Sequence, residues 1–174
     1  MDRKQIENYV FISLFVIPVL IFISTPAHPG SDTAYRLDGF IDRYLLGNGW
    51  YSPSNYPFAA KVTNSFSVVL AVVTGFFMGI WRRNDIITPL PKNSGWSLGW
   101  SLLLILGLGT YAGLISFYPQ EFSIFSGRRS FMFTESFHNN PVFFIGLMAA
   151  KTVCIYLPFR MVAFAIYFFR GKAN

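Results

Sequence analysis

The chain of 174 residues contains two histidines, one cysteine and eight Asp and Glu side chains as its candidate metal ligands. His28 and His138 are far apart, and no cysteine or second histidine stands at metal-ligand spacing from either, so no catalytic metal is expected. Cys154 sits alone within an apolar run, which rules out an intramolecular disulfide or a thiolate cluster. The sequence has no phosphate-cradling glycine loop, zinc-protease helix or nucleophile elbow. Every Asp and Glu falls in an expected loop or terminus, which leaves a proton relay or ion-coupled transporter without an intramembrane carboxylate. The expectation is a non-enzyme with no cofactor and no metal.

The remaining candidates are binding residues. Lys151 and Arg160 are the two charges expected at membrane depth, where each costs about 2.5 to 3.5 kcal/mol on insertion scales. Nine residues at about 100° each put them on opposite helix faces, which argues against one shared ion site. Lys151 is expected to snorkel to the outer headgroups and Arg160 to the inner ones, with a buried pairing or partner contact as the alternative. Ala71, Gly75 and Gly79 recur every four residues on one helix face, and Gly95 with Gly99 and Gly109 with Gly113 do so on the next helix. Such small-residue stripes allow close backbone approach, either within the chain or to a foreign helix. Gly127, Arg128 and Arg129 lie in a loop that reads as a short strand or turn followed by a charged pair. That pair either contacts lipid phosphates or serves recognition.

These side chains need a scaffold, and composition points to a bilayer. The chain is 53% hydrophobic, 19% aromatic and 13% charged, with a mean hydropathy of +0.43, whereas soluble domains carry roughly 25% charged residues. It is too apolar for intrinsic disorder. The net charge of +6 is scattered between apolar runs without a basic block, so nucleic acid is not an expected partner. The fold expected is an all-α integral membrane protein of one domain, with spans at about 9–27, 62–81, 95–118 and 141–169. The first run has a rival reading as a cleaved signal peptide, which Asp2, Glu7 and its length oppose. Trp81, Trp96 and Trp100 suit one interfacial belt, making the second and third spans a hairpin. Asn140 followed by Pro141 suits the start of the fourth.

The first outer loop, about Pro26 to Lys61, places Leu37, Phe40, Ile41, Tyr44 and Leu45 at helical spacing, with Asp32 as a cap and Gly47 as a stop. A short amphipathic interfacial helix is expected there, with Arg36, Asp38, Asp42 and Arg43 on its polar face. Lys and Arg near the span ends number seven on the side of the termini and five on the other, which favours both termini inside.

Several local sequences resemble the immunity proteins of pore-forming colicins, the colicin A-type group. Asn55, Tyr56 and Pro57 followed by Lys61 and Val62 resemble the family's Asn-Pro and Lys-Val entering the second span. Ser126, Gly127 and Arg128 resemble its small-Gly-basic turn, and Phe169, Arg170, Gly171 and Lys172 its basic tail. The chain departs from the family at Asn64, Ser65 and Phe66, where relatives carry Lys-Thr. The resemblance implies a multi-pass protein of the bacterial inner membrane that holds a toxin's pore-forming domain non-conducting. Under it, Lys61, Arg128 and Arg129 would pair with toxin acids, and Gly75, Gly79, Gly109 and Gly113 would admit close helix contact, with Gly127 and Lys151 as further partner-binding residues. A subunit of a larger membrane complex, or an entry-exclusion protein, is the competing expectation. Self-association through the same glycine faces stays open.

Overall fold

The structure is a computed structural model and describes residues 3–45, 53–81, 95–117 and 139–171. Among these the chain is all-helical, with five α-helices and no strand: α1 (Arg3–Ser24), α2 (Asp32–Tyr44), α3 (Pro57–Trp81), α4 (Gly95–Phe117) and α5 (Pro141–Gly171). Three stretches, Gln5–Ser24, Pro57–Trp81 and Pro141–Met161, are long and apolar enough to cross a membrane. The described side chains of α4 include a shorter apolar stretch, Leu103–Leu114.

Helix ends differ from the hydropathy boundaries for local reasons. α1 starts six residues before the apolar run at Tyr9, because Lys4, Gln5 and Glu7 are good helix formers that extend the backbone ladder past the lipid-soluble part. It stops where the Thr25 N–H and hydroxyl both donate to the Ile21 carbonyl, at 3.0 and 2.7 Å. α3 begins at Pro57, a residue suited to the first helical position, and not near Val62, so Lys61 belongs to its second turn. Ser31, and not Asp32, caps α2, its Oγ accepting from the Ala34 N–H at 3.3 Å. α2 ends at Tyr44, and the stop expected at Gly47 lies outside the described residues. α5 starts as its sequence indicates, with the Asn140 side chain accepting from the Val142 N–H at 3.0 Å.

Contacts at the two ends fix the helix directions. Near α2, Phe22 of α1 meets Tyr56 and Phe144 at ring separations of 5.1 and 5.4 Å, and Tyr56 meets Phe144 at 5.5 Å. At the other end Phe76 of α3 meets Phe159 of α5 at 5.1 Å, and Glu7 of α1 meets Arg160 of α5. α3 and α5 therefore run parallel to each other, and α1 runs antiparallel to both. Leu14, Val68, Ala71, Met78, Ala112, Ile155 and Tyr156 form the buried centre.

α5 is the hub. Its contact with α3 is the most extensive in the fold, α4 packs chiefly on α5, and α3 and α4 touch only slightly. Among the described residues, the second and third spans of the expected hairpin lie chiefly against the last helix and only slightly against each other. The outward surface is apolar, with Tyr9, Phe11, Ile12, Val16, Leu20 and Ile23 of α1 all exposed. A surface of this kind would be costly in water and is at home in lipid.

Candidate functional site

The densest polar arrangement is where α2 meets the start of α3. Ile41 of α2 is fully buried with Phe58 and Val62 of α3, and Ile21, Leu37 and Leu45 pack around them. Burial of such a side chain contributes about 1.5 to 3 kcal/mol. Beside it the Lys61 Nζ lies 2.7 Å from Asp38 Oδ1 and 2.7 Å from Asp42 Oδ1. Asp38 and Asp42 are one helical turn apart on α2, so a single ammonium reaches both carboxylates. Sequence reading placed Lys61 in the loop as a partner-binding cation. In the structure two acids of its own chain neutralise it.

A second junction joins the segment before α3 to the segment before α5. The Asn55 N–H donates to Asn139 Oδ1 at 3.1 Å, and Asn139 Nδ2 donates to Ser54 Oγ at 3.0 Å. The Phe58 N–H donates to the Ala27 carbonyl at 3.1 Å, tying the end of α1 to the same place. Tyr56 is buried between Phe22 and Phe144, and burial pushes its phenol up to about 12. Asn139 escaped the sequence reading because its partners are more than eighty residues away, and nothing local marks such a pair.

The glycines divide into two kinds. A Cβ added at Gly75 would lie 2.8 Å from the Tyr156 carbonyl oxygen and 3.3 Å from the Arg160 nitrogen. One at Gly109 would overlap the Pro158 ring and lie 2.9 Å from the Cys154 carbonyl oxygen. α5 thus lies in two notches, one on α3 and one on α4, and the ring of Pro158 occupies the second. Gly113 is different, since a Cβ there meets no heavy atom within 4 Å. Gly79 is buried on α3. The stripes on the two helices serve α5 at Gly75 and Gly109, and no close approach exists at Gly113 among the described residues.

Arg160 and Lys151, the two charges expected to snorkel, meet different surroundings. Arg160 pairs with Glu7, which belongs to the second turn of α1 and not to a terminal loop. Lys151 is only 3% exposed, with Thr152 buried beside it. Lys151 lies between the Met148 and Ile155 levels of α5, which puts it level with Thr63, Asn64, Ser65 and Ser67 of α3, all buried. Five hydroxyls of the bundle, those of Ser13, Thr25, Thr74, Ser116 and Thr152, donate back to a carbonyl three or four residues earlier. The hydroxyls of Thr63, Ser65 and Ser67 make no hydrogen bond among the described residues. Buried polar residues of α3 thus lie level with Lys151 and Thr152 of α5. Those of α3 were visible in the sequence as a run of Thr, Asn and Ser inside an apolar span.

Gly127, Arg128, Arg129 and the expected strand or turn lie outside the described residues, as does His138. His28 is exposed, and no group of three His, Cys, Asp or Glu side chains converges among the described residues. Comparison with known protein families, with curated proteins and with solved structures finds no match to this chain.

Proposed function

We propose that this chain is a four-span immunity protein of the bacterial inner membrane, resembling the colicin A-type group, which binds the pore-forming domain of a toxin and keeps its channel closed. Helix direction supports the span count. α3 and α5 are parallel and of membrane length, so the chain between them must return across the bilayer. α4, with 23 residues, is the helix available for the return and reaches about 35 Å. Four crossings put both termini on one side, and the Lys and Arg distribution favours the cytoplasm.

The observation that carries the toxin-binding reading is that one resembling stretch, Asn55 to Lys61, is tied to distant parts of the chain. Asn55, Tyr56 and Lys61, separated from the α5 start by about eighty residues, gather with α2 at one end of the bundle. There they brace the segment before α3 against the segment before α5 and against α2. A braced end of this kind suits a protein that must meet a toxin arriving from outside. Lys61 contributes by holding α2, and Gly75 and Gly109 by seating α5. Direct toxin contact is assigned to Arg128 and Arg129.

The test is survival of sensitive bacteria that express the chain when challenged with a panel of pore-forming colicins, with membrane-fraction expression measured in parallel. Protection against one toxin and not its relatives is expected. Absence of protection against every member at good membrane expression overturns the reading and favours a subunit of a larger membrane complex.

A further inference from the structure

The charges of α2 are sorted by the fold in a way that its sequence does not reveal. Of the four charged residues expected on one polar face, Asp38 and Asp42 turn toward Lys61, whose single charge offsets one of their two. Arg36 and Arg43 point the other way, exposed, and neither is paired with a carboxylate among the described residues. They are seven residues apart, two helical turns along the same side. Two aromatic side chains flank the arginines, Phe40 and Tyr44, 48% and 65% exposed, whereas Tyr35 shares the side of Asp38 and Asp42. The Arg43 guanidinium lies 5.6 Å from the centre of the Tyr44 ring, which in turn stands 5.2 Å from Phe40. The exposed face of α2 thus carries two arginines and two aromatic rings, with Asp32 one turn before Arg36 as an acid on the same side, in a helix that holds three aspartates and two arginines.

Its location says what covers it. α2 is held against Ile21, near the end of α1, and against Phe58 and Val62 in the first turns of α3. These are the ends of two of the membrane-length stretches, so α2 lies at the depth where hydrocarbon gives way to headgroups. The geometry points to the outward face of α2 as a docking surface for anionic phospholipid: Arg36 and Arg43 take headgroup phosphate oxygens while Phe40 and Tyr44 sit among the upper acyl carbons. Arginine suits phosphate because its planar fork donates two parallel hydrogen bonds, and exposed Tyr and Phe suit the interface because their rings are apolar and rigid. This site rests on the membrane reading and is independent of any toxin.

The experiment titrates the purified full chain in detergent with phosphatidylglycerol or phosphatidylcholine and follows bound lipid by native mass spectrometry. Phosphatidylglycerol is expected to bind more tightly than phosphatidylcholine. One cation near a headgroup is worth about fivefold in anionic-lipid affinity, so R36Q with R43Q is expected to weaken phosphatidylglycerol by about 25-fold and leave phosphatidylcholine unchanged. R36K with R43K keeps the charge and is expected to restore most of the loss. Unchanged phosphatidylglycerol affinity in the glutamine variant overturns the proposal, as does an equal loss for both lipids. Loss of toxin protection with lipid preference intact would assign the face to a protein partner, and that too overturns it.

Discussion

Arg160, midway along the last helix, and Glu7 of the first form an ion pair that ties those two helices together. Both side chains are partly shielded, at 31% and 16% exposure. Removing one partner from a shielded pair leaves the other charge stranded, which costs about 3 to 5 kcal/mol when burial is complete. With partial exposure discounted, E7Q is expected to destabilise the protein by about 1 to 3 kcal/mol. R160M is expected to do the same, and the two together to cost less than the sum of the singles. Denaturant titration in detergent of the four proteins in this cycle measures the coupling. Additive losses would show that the pair contributes nothing.

The two glycines that seat α5 give opposite expectations from Gly113. G109A would drive a methyl group into Pro158 and toward the Cys154 carbonyl, and G75A would press one on the Tyr156 carbonyl. Each is expected to lower stability by about 1 to 3 kcal/mol, because the obstacles are backbone and a rigid ring. G113A meets open space and gains helix propensity, so it is expected to be neutral or to stabilise by up to about 1 kcal/mol. Thermal unfolding in detergent separates them. Equal losses at all three positions would mean that glycine is required there for some reason other than helix approach.

What the sequence made legible follows from the range of the interactions. Hydropathy located each long helix, because burial in lipid is a property summed over some twenty neighbouring residues. Amphipathic spacing located α2 for the same local reason, and Asn140 with Pro141 marked the start of α5. The helix ends were missed locally, by one residue at the Ser31 cap and by five at Pro57, and the misses at the site are long-range. Glu7 was read as part of a terminal loop because its partner is on another helix, and Lys61 was read as free because Asp38 and Asp42 lie some twenty residues earlier. Gly109 and Gly113 are indistinguishable as a motif, and only the position of Pro158 separates them. Spacing reports which residues share a face, and the tertiary fold decides what that face meets.

The double bridge of Lys61 is expected to hold α2 down more than it stabilises the fold. Its three side chains are 21%, 30% and 41% exposed, which limits its worth to about 1 kcal/mol. K61M is therefore expected to leave the global unfolding midpoint within a few degrees of wild type. It also leaves Asp38 and Asp42 facing each other without a counter-ion, so local opening of α2 should rise by about fivefold. Amide hydrogen exchange over residues 32–44 reads this directly. Restoring neutrality with D38N and D42N in the K61M background is expected to bring the protection back. Exchange unchanged in K61M would show that Ile41 and its apolar neighbours hold α2 without help.

Tyr56 supplies a pH test of the braced end. Its phenol titrates near 12 in the fold because of burial, against about 10 in the unfolded chain. Between those values the unfolded state has already lost its proton and the folded state has kept it, so the folded state binds more protons and stability must fall as pH rises. Below about pH 10 both states are protonated and the effect is absent. A gap of two units corresponds to about 2.7 kcal/mol, the most that this one group can remove by pH 12. Other groups titrate in the same range, so the measurement is the difference between wild type and Y56F in thermal unfolding from pH 9 to pH 12. The variant keeps the ring contacts with Phe22 and Phe144 and loses only the ionisable oxygen. Its stability is expected to fall less steeply than that of wild type above pH 10, and parallel curves would show that Tyr56 ionises as freely in the fold as in the unfolded chain.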